Sequence, residues 1–232
     1  MKKTVPVFFA LFLLSALLAF PQSSFLKTGQ TGFGTSGAYT TNKDASGFSG
    51  TAGVALSGIF DLSLSVGRPS YGSDTYADLK ATSIVSEIRA YIIKQNSGKA
   101  PVTASISVGY SSDKFSSPDF EADSLVMRAH SMLMGGTVSR DVPLSAKVYI
   151  QPYAGISYVN STLKISDPSG LTLGSTDGMV SLNLGVPLVY GLSERTMAVL
   201  QPAVSLDKNN VTFAVSAGLI IALTKAPELD KN

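Results

Sequence analysis

The chain carries a single histidine, His130, and an imidazole can exchange a proton near neutral pH. A catalytic histidine needs a partner that orients it or that it activates. Met132 stands two positions further on, Ser131 would point to the opposite face of a strand, and no acidic cluster sits beside His130. The sequence therefore favours a histidine within a polar network, and it predicts neither a catalytic residue nor an enzyme.

Four charged residues fall inside predicted strands, on the polar parity: Glu87, Arg89, Arg128 and Lys147. If this parity faces a lumen, the charges could form a constriction that selects solutes, or ion pairs that fill a narrow barrel. The second interpretation is favoured. It predicts a lumen charge network of these four residues with His130, in which Glu87 pairs with Arg128 or Arg89.

Metal-binding chemistry has little support in the sequence. The chain has no cysteine and one histidine, which excludes thiolate sites and sites built from several histidines of one chain. Acidic residues cluster at Asp113, Asp119, Glu121 and Asp123, but their spacing matches no defined calcium loop. We interpret them as part of a solvated loop and predict no metal and no cofactor.

Strict alternation of side chains is the dominant pattern, and the strands it predicts must position the charged residues. In the stretch from Met179 to Tyr190, aliphatic residues occupy one parity and small or polar residues most of the other. The stretch from Val211 to Leu223 repeats the pattern. A period of two places successive side chains on opposite faces of a strand.

The whole chain predicts about ten such strands, with short and long connections in alternation and almost no helical periodicity. Polar connections are predicted at 42–47, 68–79, 112–123 and 164–178, and a tight turn at Gly58. Long strands, alternating connections and an even strand count are typical of outer-membrane barrels. The predicted fold is all-β, an antiparallel up-and-down transmembrane β-barrel of about ten strands, with eight as the alternative.

The N-terminus has the features of an export signal: a basic start followed by an apolar run from Val5 to Phe20. We predict a signal peptide at 1–23, the barrel at 24–224 and a polar tail at 225–232. Charged residues make up 15% of the chain and the net charge is +2, with no basic run. This composition disfavours a nucleic-acid partner.

A soluble β-sandwich also alternates, so the composition of the two faces decides between the two folds. One face is aliphatic in several consecutive strands, and the other is mostly Ser, Thr, Gly and Ala rather than charged. This pattern favours lipid outside and a narrow lumen inside. Aromatic residues near the strand ends are predicted to lie at the membrane interfaces: Tyr39, Phe48, Phe60, Tyr110, Tyr158 and Tyr190.

With its signal segment, alternating strands and external loops, the sequence resembles small outer-membrane β-barrel proteins of Gram-negative bacteria, the OmpA/OmpX-like and porin-like class. The resemblance covers nearly all of 25–223 and is architectural. One departure is that the last strand closes at Leu223 and a polar tail follows, without the terminal aromatic signal of that class.

The resemblance implies a bacterial outer-membrane protein, for which three roles are open. The first is a structural or passive porin-like monomer that contacts outer-membrane lipid and passes small solutes through its lumen. The second is a surface barrel that binds ligands or mediates adhesion through its external loops. The third, less favoured, is an enzyme, since ten-stranded outer-membrane proteases use histidine with aspartates near the rim.

Overall fold

The computed structural model describes residues 22–72, 78–95 and 100–224. Residues 1–21 of the predicted signal segment and the predicted tail at 225–232 lie outside the described residues. Gln22 and Ser23, which the sequence analysis places in the signal segment, are buried within the fold. No helix in the described part of the chain is long and apolar enough to cross a membrane.

The described chain forms thirteen strand segments and two short helices. The helices are α1 (Gln22–Phe25) and α2 (Pro118–Ala122). The strands are β1 (Gly32–Thr41), β2 (Ala45–Leu56), β3 (Phe60–Tyr71), β4 (Leu79–Ile93), β5 (Thr103–Ser116), β6 (Val126–Ser139), β7 (Val142–Pro143), β8 (Val148–Ile150), β9 (Tyr153–Ser166), β10 (Thr172–Gly185), β11 (Leu188–Gly191), β12 (Thr196–Asp207) and β13 (Val211–Ala222).

All the strands belong to one antiparallel sheet that closes on itself. From β1 to β6 successive strands pair as neighbours, β6 then pairs with β9 and β9 with β10. The sheet closes because β10 pairs with β12, β12 with β13 and β13 with β1. The short segments β7, β8 and β11 continue the paths of β6, β9 and β10 beyond local interruptions. Two of these interruptions contain Pro152 and Pro187, which lack the N–H that a strand interior requires. The closed barrel of ten strands confirms the predicted fold class.

Alternation along each strand sorts the side chains into an apolar exterior and a small or polar interior. On β4, Ile84, Ile88 and Ile92 are exposed, whereas Glu87 and Arg89 are buried. The parity that the sequence predicts for this strand is therefore confirmed. We call the end where β1 begins and β13 finishes the terminal end, and the opposite end the loop end.

The connections at the loop end are shorter than the sequence predicts. The predicted loop at 164–178 is mostly a hairpin in which Thr172 to Gly178 pairs with Ser166 to Asn160. In the same way, β5 continues to Ser116, within the predicted loop at 112–123. The segment from Thr172 to Gly178 is exposed on both faces and consists mostly of polar residues and glycine, so its strand pattern is weak. From Ser112 to Ser116 the inward residues Asp113 and Phe115 are buried, but a single apolar residue gives no alternation in the sequence. The loop predictions were wrong at both places.

Candidate functional site

The terminal end of the barrel is closed from inside by residues 22–26, which we call the plug. Gln22, Ser23, Ser24 and Leu26 are buried. The Ser23 backbone N–H donates to Oδ1 of Asp61 at 2.8 Å, and the Ser24 hydroxyl donates to Oε1 of Gln151 at 2.6 Å. Asp61 lies on β3, so these bonds tie one side of the plug to the barrel wall.

A buried lysine completes the attachment of the plug. Lys94 is the first residue after β4. Its ammonium group donates to the carbonyl oxygens of Ser23 (2.6 Å), Gly58 (2.7 Å) and Leu26. Three acceptors match the three donors of an ammonium group. Burial lowers the pKa of Lys94 from 10.5 to about 8, so the group is still largely protonated at neutral pH.

The opposite side of the plug is apolar and packs against the last strands. Phe25 and Leu26 belong to a buried cluster with Val189, Val199 and Ile220. Glycines on the wall make room for the plug. A Cβ atom at Gly53 would lie 2.5 Å from Nε2 of Gln22, and one at Gly34 would lie 2.8 Å from Cγ of Gln22. The barrel wall therefore fits the plug by hydrogen bonds, apolar contact and shape.

Further inside, charged residues of β3 and β4 form a compact polar layer. The guanidinium of Arg89 donates to Oε1 of Glu87 from Nη2 at 2.8 Å and from Nε at 3.1 Å. Both side chains are buried. Next to this pair, the Tyr91 hydroxyl donates to Oδ2 of Asp61 at 3.0 Å. Asp61 therefore links the plug to the inner wall of the barrel.

Apolar side chains fill the interior towards the loop end. Val85, Leu133 and Val159 form one buried cluster, and Met179 packs against it. A larger cluster lies beyond it and includes Phe120 from α2; its other members are Ala45, Tyr71, Leu79, Ala81, Phe115, Met127, Ala129 and Leu163. Large apolar side chains therefore occupy space that an open channel would need.

A small cavity remains between the plug and the polar layer. It has a volume of about 30 Å³ and is lined by ten residues that include Ser24, Arg89, Tyr91, Gln151 and Gln201. This space holds one or two water molecules but no hydrated solute. Within the part of the chain that the structure describes, the interior is a packed polar and apolar core.

Two members of the predicted lumen network lie on the outside of the barrel. Met127 and Ala129 of β6 are buried, so Arg128 points outward and is exposed. His130 shares that outward parity, and its Nδ1 lies 2.8 Å from the Tyr110 hydroxyl. The prediction that both residues face the lumen was therefore wrong, as was the pairing of Glu87 with Arg128. The apolar residues Met132, Met134 and Val138 share their parity, and that signal could have corrected it.

Of the remaining members of the predicted network, Glu87 and Arg89 lie inside the barrel and Lys147 lies outside it. The predicted pairing of Glu87 with Arg89 is present in the interior. Lys147 is exposed in the turn between β7 and β8, so its placement within a strand was wrong. Asp113 is buried inside the barrel, whereas Asp119, Glu121 and Asp123 are exposed at α2. In the described ranges, no group of three or more histidine or acidic side chains could hold a metal ion.

The six predicted interfacial aromatics all lie on the exterior: Tyr39, Phe48, Phe60, Tyr110, Tyr158 and Tyr190 are exposed. Tyr39 and Phe48 are register partners on β1 and β2, with ring centroids 4.8 Å apart. These positions suit contact with a membrane interface, and their depth in a membrane stays a prediction.

The rim is uneven at the loop end. β10 pairs with β12 only from Ser181 to Gly185, whereas it pairs with β9 along its whole length. The segment from Thr172 to Gly178 therefore rises past the β12–β13 turn, and no described strand pairs with this side, which we call the open edge. A cleft of about 440 Å³ lies beneath it, lined by residues that include Val159, Asp177 and Lys208.

Comparison with solved structures places this architecture among known barrels. The translocator domain of autotransporter NalP from Neisseria meningitidis superposes with a TM-score of 0.55 at 12% identity, covering 84% of this chain and 88% of that one. The chain has the fold of a small outer-membrane β-barrel.

Two further outer-membrane barrels are similar at lower TM-scores. The outer membrane protease OmpT from Escherichia coli gives 0.46 at 11% identity, covering 84% of this chain and 94% of that one. Ail, the attachment invasion locus protein of Yersinia pestis, gives 0.42 at 9% identity, covering 85% and 99%. No protein-family model matches the sequence, and no curated protein matches it either.

The residues that close this barrel carry no clear signal in the sequence. Of the plug, the sequence assigns Gln22 and Ser23 to the predicted signal segment and Ser24 to Leu26 to the barrel, and no pattern marks them as an inward segment. Lys94 and Asp61 were not singled out. Asp61 occupies the inward parity of β3 together with Ser63 and Ser65. A charged residue on that parity indicates a buried polar contact inside the barrel.

Proposed function

We propose that this protein is a closed barrel of the bacterial outer membrane that acts through its external surface by binding a partner, and that it does not conduct solutes. The observation that carries the proposal is the filled interior. The plug, the Glu87–Arg89 pair and the apolar clusters occupy successive levels of the barrel. A passive pore needs a continuous water-filled path, which this packing does not leave among the described residues.

Placement in a membrane is supported by the exterior. Apolar side chains form a row across five neighbouring strands: Ile88, Val108, Met134, Tyr158 and Val180 are register partners and are all exposed. In water such a continuous apolar surface would favour aggregation, whereas in a bilayer it faces hydrocarbon. If the terminal end faces the periplasm, the loop end and the open edge face the cell exterior.

The open edge is the feature that best suits a binding role. The N–H and C=O of one residue in an antiparallel strand point to the same side, and this side alternates along the strand. The Val186 N–H donates to Pro202 on the β12 side, so even-numbered residues of β10 point that way. Thr172, Gly174, Thr176 and Gly178 therefore direct their backbone groups into open space. The Gly178 N–H donates to the side chain of its neighbour, at Oδ1 of Asp177 (2.8 Å).

Natural edge strands are usually protected by lysine, proline, a bulge or a covering element. The segment from Thr172 to Gly178 contains neither lysine nor proline, and Asp177 is its only charged residue. Such an edge can accept an additional strand from a partner. We infer that the occupant is an extended peptide segment of another protein.

A second copy of the chain does not suit this edge. Regular antiparallel self-pairing needs a two-fold axis perpendicular to the strands. Two copies with the same orientation in one membrane are related by an axis along the membrane normal. This axis leaves the two copies of β10 parallel, so they cannot form the antiparallel pair.

Electrical recording from planar lipid bilayers tests the closed interior. The wild-type protein is expected to insert without conductance steps. A Lys94→Ala variant loses the ammonium that holds three plug carbonyls, and it should also insert without conductance steps, because the Glu87–Arg89 pair and the apolar clusters still fill the levels beyond the plug. Steady conductance from the wild type would contradict the proposal and restore the passive porin-like role.

Strand addition can be tested with a labelled peptide that copies residues 156–166, because such binding depends mainly on main-chain hydrogen bonds. Fluorescence anisotropy should show binding to the wild type in detergent micelles. Thr176→Pro removes an N–H of the open edge and leaves the backbone hydrogen bonds to β9 intact, so it should abolish binding; both this variant and the Thr176→Val control lose the hydroxyl contact with Thr162. Thr176→Val keeps the N–H and is the matched control. Equal binding by all three proteins, or none by the wild type, would contradict docking at this edge.

A further inference from the structure

Three cations lie side by side on the outer face of the barrel near the loop end. Arg128 on β6 is the register partner of Lys114 on β5 and of Lys164 on β9. All three side chains are exposed, and we call them the cation row. Neighbouring strands are about 4.8 Å apart, so the Cα atoms of the two lysines are separated by roughly 10 Å.

Among the described residues, no carboxylate forms an ion pair with the cation row. The ion pairs within the described ranges are Lys43–Asp44 and Glu87–Arg89, and neither involves these residues. Like charges directly opposite each other on a sheet destabilise it. An arrangement of three adjacent cations therefore has a cost that a bound anion would remove.

The surface around the cation row offers space and polar groups for such an anion. Gly174, the register partner of Lys164 on β10, leaves one end of the row without a side chain. One register step towards the membrane, His130 lies between Ser112 and Thr162. The Thr162 and Thr176 hydroxyls are 3.1 Å apart. Polar donors therefore flank three cations at one level of the barrel wall.

The rows below the cation row lead directly to the lipid-facing surface. The next step contains Tyr110, Met132 and Asn160, and the step after that is the exposed apolar row through Val108, Met134 and Tyr158. A molecule bound at the cation row by its charged part would thus lay an attached hydrocarbon chain on the apolar wall.

We propose that the cation row binds the phosphate groups of a lipid headgroup in the outer leaflet. This inference rests on the proposed membrane location. The guanidinium of Arg128 suits bidentate contact with phosphate, and the two lysines supply further charge on either side. A lipid source is favoured over a free anion because the polar site and the apolar wall form one continuous surface.

Native mass spectrometry of the barrel in detergent tests the proposal. The probe is a lipid whose sugar headgroup bears two phosphomonoesters, compared with the same lipid after phosphatase treatment. The wild type should retain the phosphorylated lipid preferentially. The Lys114→Gln/Arg128→Gln/Lys164→Gln variant should bind it about a hundredfold more weakly, since each cation near a lipid headgroup contributes about a factor of five.

A control variant makes the same change in net charge elsewhere: Lys43→Gln/Lys147→Gln/Lys208→Gln neutralises three exposed cations that lie apart from the cation row. It should bind like the wild type. Equal weakening in both variants would overturn the proposal, because general electrostatics would then explain retention. Displacement of the lipid by equimolar inorganic phosphate would also overturn it in favour of a free-anion site.

Gel mobility separates this inference from the proposed function. A folded outer-membrane barrel migrates differently before and after heating in detergent. If heat-modifiable mobility is present but the two lipids bind equally, the lipid inference alone fails. If heat-modifiable mobility is absent, the membrane barrel fails and the lipid inference fails with it.

Discussion

The guanidinium of Arg89 and the carboxylate of Glu87 are adjacent inward neighbours on β4, with Nη2 and Oε1 2.8 Å apart inside the barrel. Each residue has only 7% of its surface exposed. A buried ion pair contributes little net stability compared with an apolar pair, but removing one partner leaves an expensive unpaired charge. The pair therefore makes the centre of the barrel sensitive to single substitutions.

Replacing Glu87 by Gln should destabilise the barrel by roughly 3 kcal/mol, because Arg89 would remain buried and unpaired. Adding Arg89→Met should recover part of this loss, as a double-mutant cycle in urea would show. Arg128→Met provides the control, because Arg128 lies on the outer surface. Recovery by Arg128→Met instead of Arg89→Met would contradict the observed pairing.

Gly58 should tolerate alanine poorly. Its φ of +62° is in the left-handed region, and a Cβ atom there would collide with the carbonyl oxygen of Lys27, next to the plug. We expect Gly58→Ala to reduce the unfolding free energy by about 2–4 kcal/mol. Gly170 also has a positive φ, of +85°, but nothing lies within 4 Å of its Cβ position. Gly170→Ala should thus cost about half as much, and equal costs would argue against close contact with the plug.

Lys94 should make stability depend on alkaline pH. Burial lowers the pKa of Lys94 to about 8, below its ordinary value of 10.5. Between these two pH values the unfolded chain binds more protons than the folded one, so the unfolding free energy should rise with pH in that window. Lys94→Met removes this contribution, while the tyrosines that titrate in the same range are common to both proteins. Identical slopes in the two proteins would show that Lys94 is not buried as described.

Leu184 should be a sensitive position for charge on the exterior. It lies outward on β10, about midway between Val180 and Leu188 along the apolar face. Leu184→Arg should cost about 2–4 kcal/mol if the side chain is near the bilayer midplane. Leu171→Arg makes the same change in the exposed β9–β10 turn and should have little effect. Comparable losses in refolding experiments with lipid vesicles would count against the assigned membrane depth.

The sequence predicts the barrel well because its main signal is the contrast between the two faces of each strand. That contrast is strong on β4 and β13, where one face is apolar and exposed and the other faces the core. The contrast is weak from Thr172 to Gly178, where both faces are solvated. The sequence therefore predicts a loop where the structure has a strand.

The interior was harder to predict because it depends on contacts between distant parts of the chain. Parity identifies Glu87 and Arg89 as inward residues, but the assignment failed on β6, where Arg128 and His130 share the parity of Met132 and Met134. The plug is invisible to periodicity. Lys94 is 68 residues from Leu26 in sequence, and only the closed barrel brings the two together.

Accessibility of spin labels along β5 tests the closed, lipid-embedded barrel most directly. The chain has no cysteine, so each cysteine introduced from 104 to 112 can be labelled alone. Labels at the outward positions Ile106, Val108 and Tyr110 should collide readily with oxygen, which concentrates in lipid. Labels at the inward positions Ser105 and Ser111 should be shielded from both oxygen and a water-soluble nickel reagent. Nickel access at Ser105 and Ser111 would show an open aqueous lumen, and nickel access at Val108 would remove the strand from the membrane.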